Sequence, residues 1–254
     1  MNLLDNIYPG HWSNTSASPP SDTEIDQIAV IALGNVISDI TTAFRFGSST
    51  VSELGRLSDV DILATSSSWS THGRFCFVQD GIPFDIHVVG DSNVEKYCAW
   101  ARQSGYQMAL GAGHGRAILG DPRRIKEVRH SLLSSLNSGP SLWSEKISAI
   151  RITLTELYLD LLVAEGVELE MIALAAYDSI TTLFNSVHGE WIYKGKQLPR
   201  QSSIIAVYPE FISSFRAALT GDACRLVKII EDILQYSGGP LWSDYRAGSN
   251  PSGQ

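Results

Sequence analysis

The feature that most constrains this chain is a change of hydrophobic period near residue 140. Before it, short runs that alternate like strands are interspersed with helical patterns; beyond Ser141 only the helical period recurs. Ile150, Leu154, Leu157 and Leu161 are spaced 4, 3 and 4 apart. Leu169, Ile172, Ala176, Ile180 and Leu183 continue in the same way, and Leu226, Ile229, Ile230 and Ile233 form a third stripe. Pro209 suits the first turn of a helix carrying Phe211, Phe215 and Leu219. Between the two regimes, Asn137-Ser138-Gly139-Pro140-Ser141 has the composition of a linker. The chain therefore reads as an α/β domain with a mixed β-sheet over residues 21–136, followed by an all-α helical bundle over 142–242. An N-terminal arm (1–20) and a polar tail (243–254), expected to fray, flank them.

Within the first regime, Ser21-x-x-Glu24 reads as a capping box. It opens a helix predicted to run to about residue 43, with Ile25, Ile28, Val36 and Ile40 on its buried side. A break at Phe46-Gly47-Ser48-Ser49 precedes a predicted strand over 60–64. Residues 74–79 and 82–89 flank Asp80-Gly81, a strong two-residue hairpin signal. Ser92-x-x-Glu95 opens a helix to about 104, a short strand follows at 116–119, and Asp121-Pro122 starts a helix to about 136. The predicted order is helix, strand, hairpin, helix, strand, helix.

The chemistry lies in three carboxylates. Side chains two apart on a strand share a face, so Asp59 and Asp61 point the same way. Phe84-Asp85-Ile86 sets a third acid between apolar neighbours on the second arm of the hairpin. If that arm pairs beside the Asp61 strand, all three converge. Two like charges about 4 Å apart repel by about 4 kcal/mol at an effective dielectric of 20, so such a cluster persists by protonation or by binding a cation. Oxygen-only ligands favour Mg²⁺, and two such ions about 4 Å apart would serve phosphoryl or nucleotidyl transfer. Gly47 lets the backbone turn closely, and Ser48 and Ser49 offer hydroxyls and amides to an anion. Each signal alone is weak, since a plain turn or a solvated strand end explains it; their joint occurrence in order is specific.

Gly47-Ser48, ten intervening residues, Asp59-x-Asp61 and the later Asp85 resemble the signature of the DNA polymerase beta-type nucleotidyltransferase superfamily. The chain is most similar to its small bacterial members, the aminoglycoside and lincosamide nucleotidyltransferases associated with antibiotic resistance. The resemblance implies an α/β nucleotidyltransferase domain followed by a helical substrate-binding domain. It further implies transfer of a nucleoside monophosphate from an NTP, ATP among them, to an acceptor hydroxyl, with release of pyrophosphate. Gly47 and Ser48 would hold the triphosphate, with Ser49 adding a contact. Asp59 and Asp61 would ligate both Mg²⁺ ions, and Asp85 would complete the second metal site and take the acceptor proton. His87, two residues on, is either a proton acceptor or a residue that hydrogen-bonds a neighbouring carboxylate or carbonyl. Arg45 and Arg56 are cations near the motif that can meet phosphate oxygens; on a strand Arg45 shares a face with Gly47, which favours it, whereas a plain salt bridge is the equal alternative for Arg56. Lys194 and Lys196, in a segment that interrupts the helices, are candidates to reach the nucleotide phosphates, with ordinary surface lysines the alternative.

Charge bounds the acceptor. The net charge is −8, with 10 basic and 14 acidic residues up to Leu136 and 9 and 13 after it. Neither part carries the basic excess of a protein that grips a long polynucleotide. Residues 156–190 hold seven acids (Glu156, Asp160, Glu165, Glu168, Glu170, Asp178 and Glu190) and no Lys or Arg. A solvated helix face is the plainer reading. The sharper one is a negative wall for a cationic small-molecule acceptor such as an aminoglycoside, bound between the domains, with an acid of this wall as an alternative base. An uncharged antibiotic or biosynthetic metabolite fits the motif as well. A protein or tRNA target, of the toxin–antitoxin kind, and a non-catalytic nucleotide-binding module are the competing readings. No run is long enough to cross a bilayer, the start does not read as a secretory signal, and Cys76, Cys98 and Cys224 lack zinc spacing. A cytoplasmic protein is expected, its oligomeric state open with a monomer slightly favoured.

Overall fold

The computed structural model describes residues 20–47, 59–193 and 202–242. The capping box at Ser21 is formed: Glu24 N donates to Ser21 Oγ (3.3 Å) and Ser21 N donates to Glu24 Oε2 (2.7 Å). It starts α1 (Asp22–Val36), which buries Ile25, Ala29, Ala32 and Leu33. This helix ends well before residue 43, and the chain turns through Asp39 (φ 52°) into a strand, β1 (Ile40–Phe46). The physical reason is the run Ile40-Thr41-Thr42, three β-branched residues whose χ1 freedom is cut in a helix and suits a pleated surface.

Four more strands complete the sheet. They are β2 (Val60–Ser66), β3 (His72–Gln79), β4 (Ile82–Gly90) and β5 (Arg116–Gly120). Asp80 and Gly81 both have positive φ (50° and 75°), the geometry of a primed two-residue turn, and join β3 to β4. A 3₁₀ turn at Asp91–Asn93 leads into α2 (Val94–Ser104), and another at Met108–His114 leads to β5. Asp121 then caps α3 (Pro122–Asn137), accepting from the backbone of Arg123 and Arg124, with Pro122 in the first turn.

The strand order is β3-β4-β2-β1-β5, with β2 and β4 parallel and the other neighbours antiparallel, so the sheet is mixed. Alternation divides it into two faces. One carries Ala43, Ile62, Ala64, Phe84, Ile86 and Val88 and packs with Ile25, Ala29 and Leu33 of α1 in a single apolar cluster. Each large side chain buried there contributes about 1.5–3 kcal/mol. The opposite face carries Phe44, Asp61, Leu63, Asp85 and His87, in register across β1, β2 and β4.

The chain divides into two compact units: residues up to Arg102 with Gln107–Ser138, and Gln103–Tyr106 with Gly139 onward. The described elements of the second unit are α4 (Ser144–Leu161), α5 (Gly166–Val187), α6 (Ile204–Val207), α7 (Phe211–Ala218) and α8 (Cys224–Tyr236). They share one apolar cluster built on Leu154, Ile180, Phe184, Phe211 and Ile230. Gly105 belongs to this unit because its carbonyl accepts from Ile192 N at 2.7 Å. Among the described residues no helix is long and apolar enough to cross a membrane.

Candidate functional site

The parallel pairing of β2 with β4 sets Asp61 directly beside Asp85. Asp59 lies one residue before β2, on the same side as Asp61. The three carboxylates each offer an oxygen within 4.8 Å of the other two. Asp85 is buried, 8% exposed, whereas Asp59 and Asp61 are half-buried, so the cluster opens to solvent on their side. All its donors are oxygen, the set that suits a hard divalent cation.

Gly47 touches the same cluster. It follows β1, whose Phe46 pairs with Asp61, and has φ 77°. A Cβ placed on it would lie 2.2 Å from Asp61 Oδ2. Glycine is needed there twice over, for the backbone angle and for the close approach of chain to carboxylate.

Asp85 is held by groups from β3. Arg74 donates to it in a fork, Nε to Oδ1 at 2.8 Å and Nη2 to Oδ2 at 2.6 Å, and Cys76 Sγ reaches Oδ1 at 3.6 Å. Burial, the largest single influence, acts to raise the Asp85 pKa, but the hydrogen bonds and charge of Arg74, with His87 and Cys76, together outweigh it, and the carboxyl sits below its ordinary value. The same bonds push the Arg74 guanidinium up. Burial, reinforced by the Asp85 charge, pushes the Cys76 thiol up, so it is a thiol rather than a thiolate near neutrality.

His87 shares the Asp85 face, with Nε2 at 3.9 Å from Asp85 Oδ1, beyond hydrogen-bond reach. Its Nδ1 lies 3.2 Å from His72 Nε2, and the two rings stack with centroids 5.4 Å apart. Burial lowers the pKa of both imidazoles, against the pull of Asp85 in the case of His87, and keeps them neutral at pH 7. His72, which has no partner spacing in the sequence, is thus the partner of His87.

Of the other sequence candidates, Arg45 does not join the cluster. It pairs with Ile62 across β1 and β2, so it lies on the α1 face, opposite Asp61. There it is 1% exposed and bonded to Asp22 (2.6 Å), with Asp26 3.3 Å away. The sequence reading set it beside Gly47 by strand alternation, but Gly47 lies past the end of β1 in a left-handed turn and the alternation stops at Phe46. Ser48, Ser49, Arg56, Lys194 and Lys196 lie outside the described residues. Trp191 is buried, and the acids from Glu156 to Asp178 are exposed on α4, α5 and the turn between them. Glu190 is half-buried and accepts from Ser203 Oγ at 2.6 Å.

Arg74 is the site residue that motif reading missed. A two-residue turn at Asp80-Gly81 pairs Gln79 with Ile82; counting outward then pairs Cys76 with Asp85 and Arg74 with His87. The hairpin register therefore carried the signal, and a search along the linear motif alone passes over it.

No protein-family model and no curated protein sequence matches this chain. Among solved structures, it is similar to a nucleotidyltransferase-like protein from Exiguobacterium sibiricum. The identity is 11%, the match covers 84% of this chain and 77% of that one, and the TM-score is 0.41.

Proposed function

We propose that this protein is a Mg²⁺-dependent nucleotidyltransferase that moves a nucleoside monophosphate from an NTP to a hydroxyl of a small molecule, releasing pyrophosphate. The observation that carries this reading is the convergence of Asp59, Asp61 and Asp85 within 4.8 Å beside the close-approach turn at Gly47. The donor set fits divalent ions, because three carboxylates meet within 4.8 Å and every donor oxygen is hard. Bound there, two Mg²⁺ ions would neutralise charge developing on the transferring phosphoryl group and activate the attacking oxygen.

The chain's own residues have distinct tasks in this scheme. Asp59 and Asp61, half-buried and on the open side, hold the ions that share the donor's phosphates. Gly47 keeps the backbone against Asp61 and leaves room for a phosphate to approach. Asp85 faces the acceptor hydroxyl. With its pKa below the usual carboxylate value it is a weak base, and neutral His87, 3.9 Å from it, is the next group able to take a proton. The net charge of −8 disfavours a polynucleotide and favours a cationic acceptor.

The test is to incubate the purified protein with each NTP, Mg²⁺ and a panel of hydroxylated small molecules, cationic ones included. Pyrophosphate release and the mass of the adduct are then measured. A product that gains one nucleoside monophosphate, and its loss in Asp59→Asn and Asp61→Asn, support the reading. Equal product from both variants would refute it.

A further inference from the structure

We propose that Arg74 is a built-in counter-cation that competes with the divalent ion for Asp85, so that it lowers the metal affinity of the resting protein. This rests on the reading of the three carboxylates as a metal site.

Asp85 has two carboxylate oxygens, and Arg74 donates to both, Nε to Oδ1 and Nη2 to Oδ2, at 2.8 and 2.6 Å. Paired fork to fork, these are among the stronger hydrogen bonds a protein makes. A divalent ion on either oxygen would sit at contact distance from a fixed positive charge, since the guanidinium keeps its proton at every working pH. Each Asp85 oxygen keeps a second lone pair, but an ion that uses it stands beside that charge, so binding favours a shift of Arg74 away from at least one oxygen.

The surroundings permit that movement. The Arg74 side chain is 59% exposed, while that of Asp85 is 11% exposed and fixed on β4 between two paired strands. The mobile partner is the cation and the fixed one is the metal ligand. Release leaves a planar five-donor fork at the mouth of the site, a shape that matches phosphate oxygens. The same pairing explains how a buried acid beside two others stays ionised without metal: Arg74 supplies the charge that an ion would otherwise supply.

The experiment measures Mn²⁺ binding by calorimetry and by the loss of the free-ion electron paramagnetic resonance signal. It compares wild type, Arg74→Ala, Arg74→Lys and Asp85→Asn, without nucleotide. Arg74→Ala is expected to bind Mn²⁺ about three- to tenfold more tightly, the range for a charge-assisted pair discounted for exposure. Arg74→Lys, which keeps the charge and loses the fork, is expected in between. Without metal, Arg74→Ala should melt at a lower temperature than wild type and gain more from saturating Mn²⁺. Unchanged or weaker binding in Arg74→Ala, with wild type binding normally, would overturn the competition and leave the metal site standing. No binding in any variant would overturn the metal site and this inference with it.

Discussion

Gly47→Ala isolates the link between a backbone turn and the carboxylates. The residue has φ 77°, a region that costs an L-residue about 1–2 kcal/mol. The added methyl would stand 2.2 Å from Asp61 Oδ2, where ordinary contact begins at 3.4 Å, so one side must give by 1.2 Å. Asp61 is the softer partner, because its carboxylate can rotate while β1 is paired on both sides. A shift of about 1 Å at a reacting centre costs on the order of 100-fold in rate. Gly47→Ala is thus expected to lose about 1–2 kcal/mol in a urea melt and about 100-fold in pyrophosphate release at saturating NTP. Gly34→Ala is the control: Gly34 lies exposed within α1 with nothing within 4 Å of its added Cβ. It is expected to gain about 0.5–1 kcal/mol, as glycine gives way to a better helix former, and to leave turnover unchanged. A Gly47→Ala enzyme that turns over within a fewfold of wild type would show that the turn has no part in the site.

Other substitutions separate stability from chemistry. Asp61→Asn should abolish turnover while keeping or raising the metal-free melting temperature, because it relieves like-charge repulsion in the cluster; scanning calorimetry without metal reads this. Arg45→Ala should cost about 3 kcal/mol in a urea melt, since it leaves Asp26 partly buried with Arg116 alone, among the described residues, to pair it, while the folded variant keeps its rate. Tyr97→Phe removes a hydroxyl that accepts from Ala109 N at 3.2 Å and should cost about 1 kcal/mol. Burial pushes the Tyr97 phenol up to about 12. The unfolded chain therefore ionises first above pH 10, and wild-type stability falls between there and about 12. Melts across this range should show a shallower alkaline decline in Tyr97→Phe.

How much of this was legible in the sequence follows from the range of each signal. The three carboxylates were legible because strand alternation and a two-residue turn are local rules, and they place Asp59, Asp61 and Asp85 with few assumptions. That β4 lies beside β2, and in parallel, was only a condition in the sequence, since strand pairing is settled by the whole sheet. The helical period of the sequence runs on to about residue 43, into the first half of β1. Asp22 to Val36 forms a helix, and the apolar spacing continues through Ile40 with no glycine or proline between Val36 and Ile40 to mark the stop. The helix stops at Ile37, whose backbone is extended (φ −133°, ψ 124°), and Asp39 at φ 52° turns the chain into β1; composition alone announces neither. The alternation that sets Arg45 beside Gly47 fails for a separate reason: the strand ends at Phe46, before Gly47. In the helical unit, Leu154, Ile180, Phe211 and Ile230 are buried as the period-3.6 stripes require, because a helix fixes its own face without reference to distant chain.

The two faces of the sheet explain why a cluster that opposes folding can persist. Three carboxylates within 4.8 Å carry a repulsive deficit of about 4 kcal/mol for each pair near 4 Å, which the Arg74 pair on Asp85 reduces. That deficit is borne by the same strands, whose alternate residues Ile62, Ala64, Phe84, Ile86 and Val88 pack under α1. Asp61 and Asp85 each sit between side chains of that cluster, so moving either carboxylate away from its neighbours requires lifting an apolar residue out of the core. The register that stabilises the fold is therefore the register that forces the acids together, and neither can slip without the other. It follows that Ile86→Ala, on the α1 face, should cost about 2–5 kcal/mol and also weaken Mn²⁺ binding in the fraction that remains folded, because Asp85 is its immediate neighbour. Ile25→Ala, in the same cluster but on α1, should cost a similar amount and leave binding intact. Equal Mn²⁺ affinities in the two variants would show that the carboxylates are positioned independently of the core behind them.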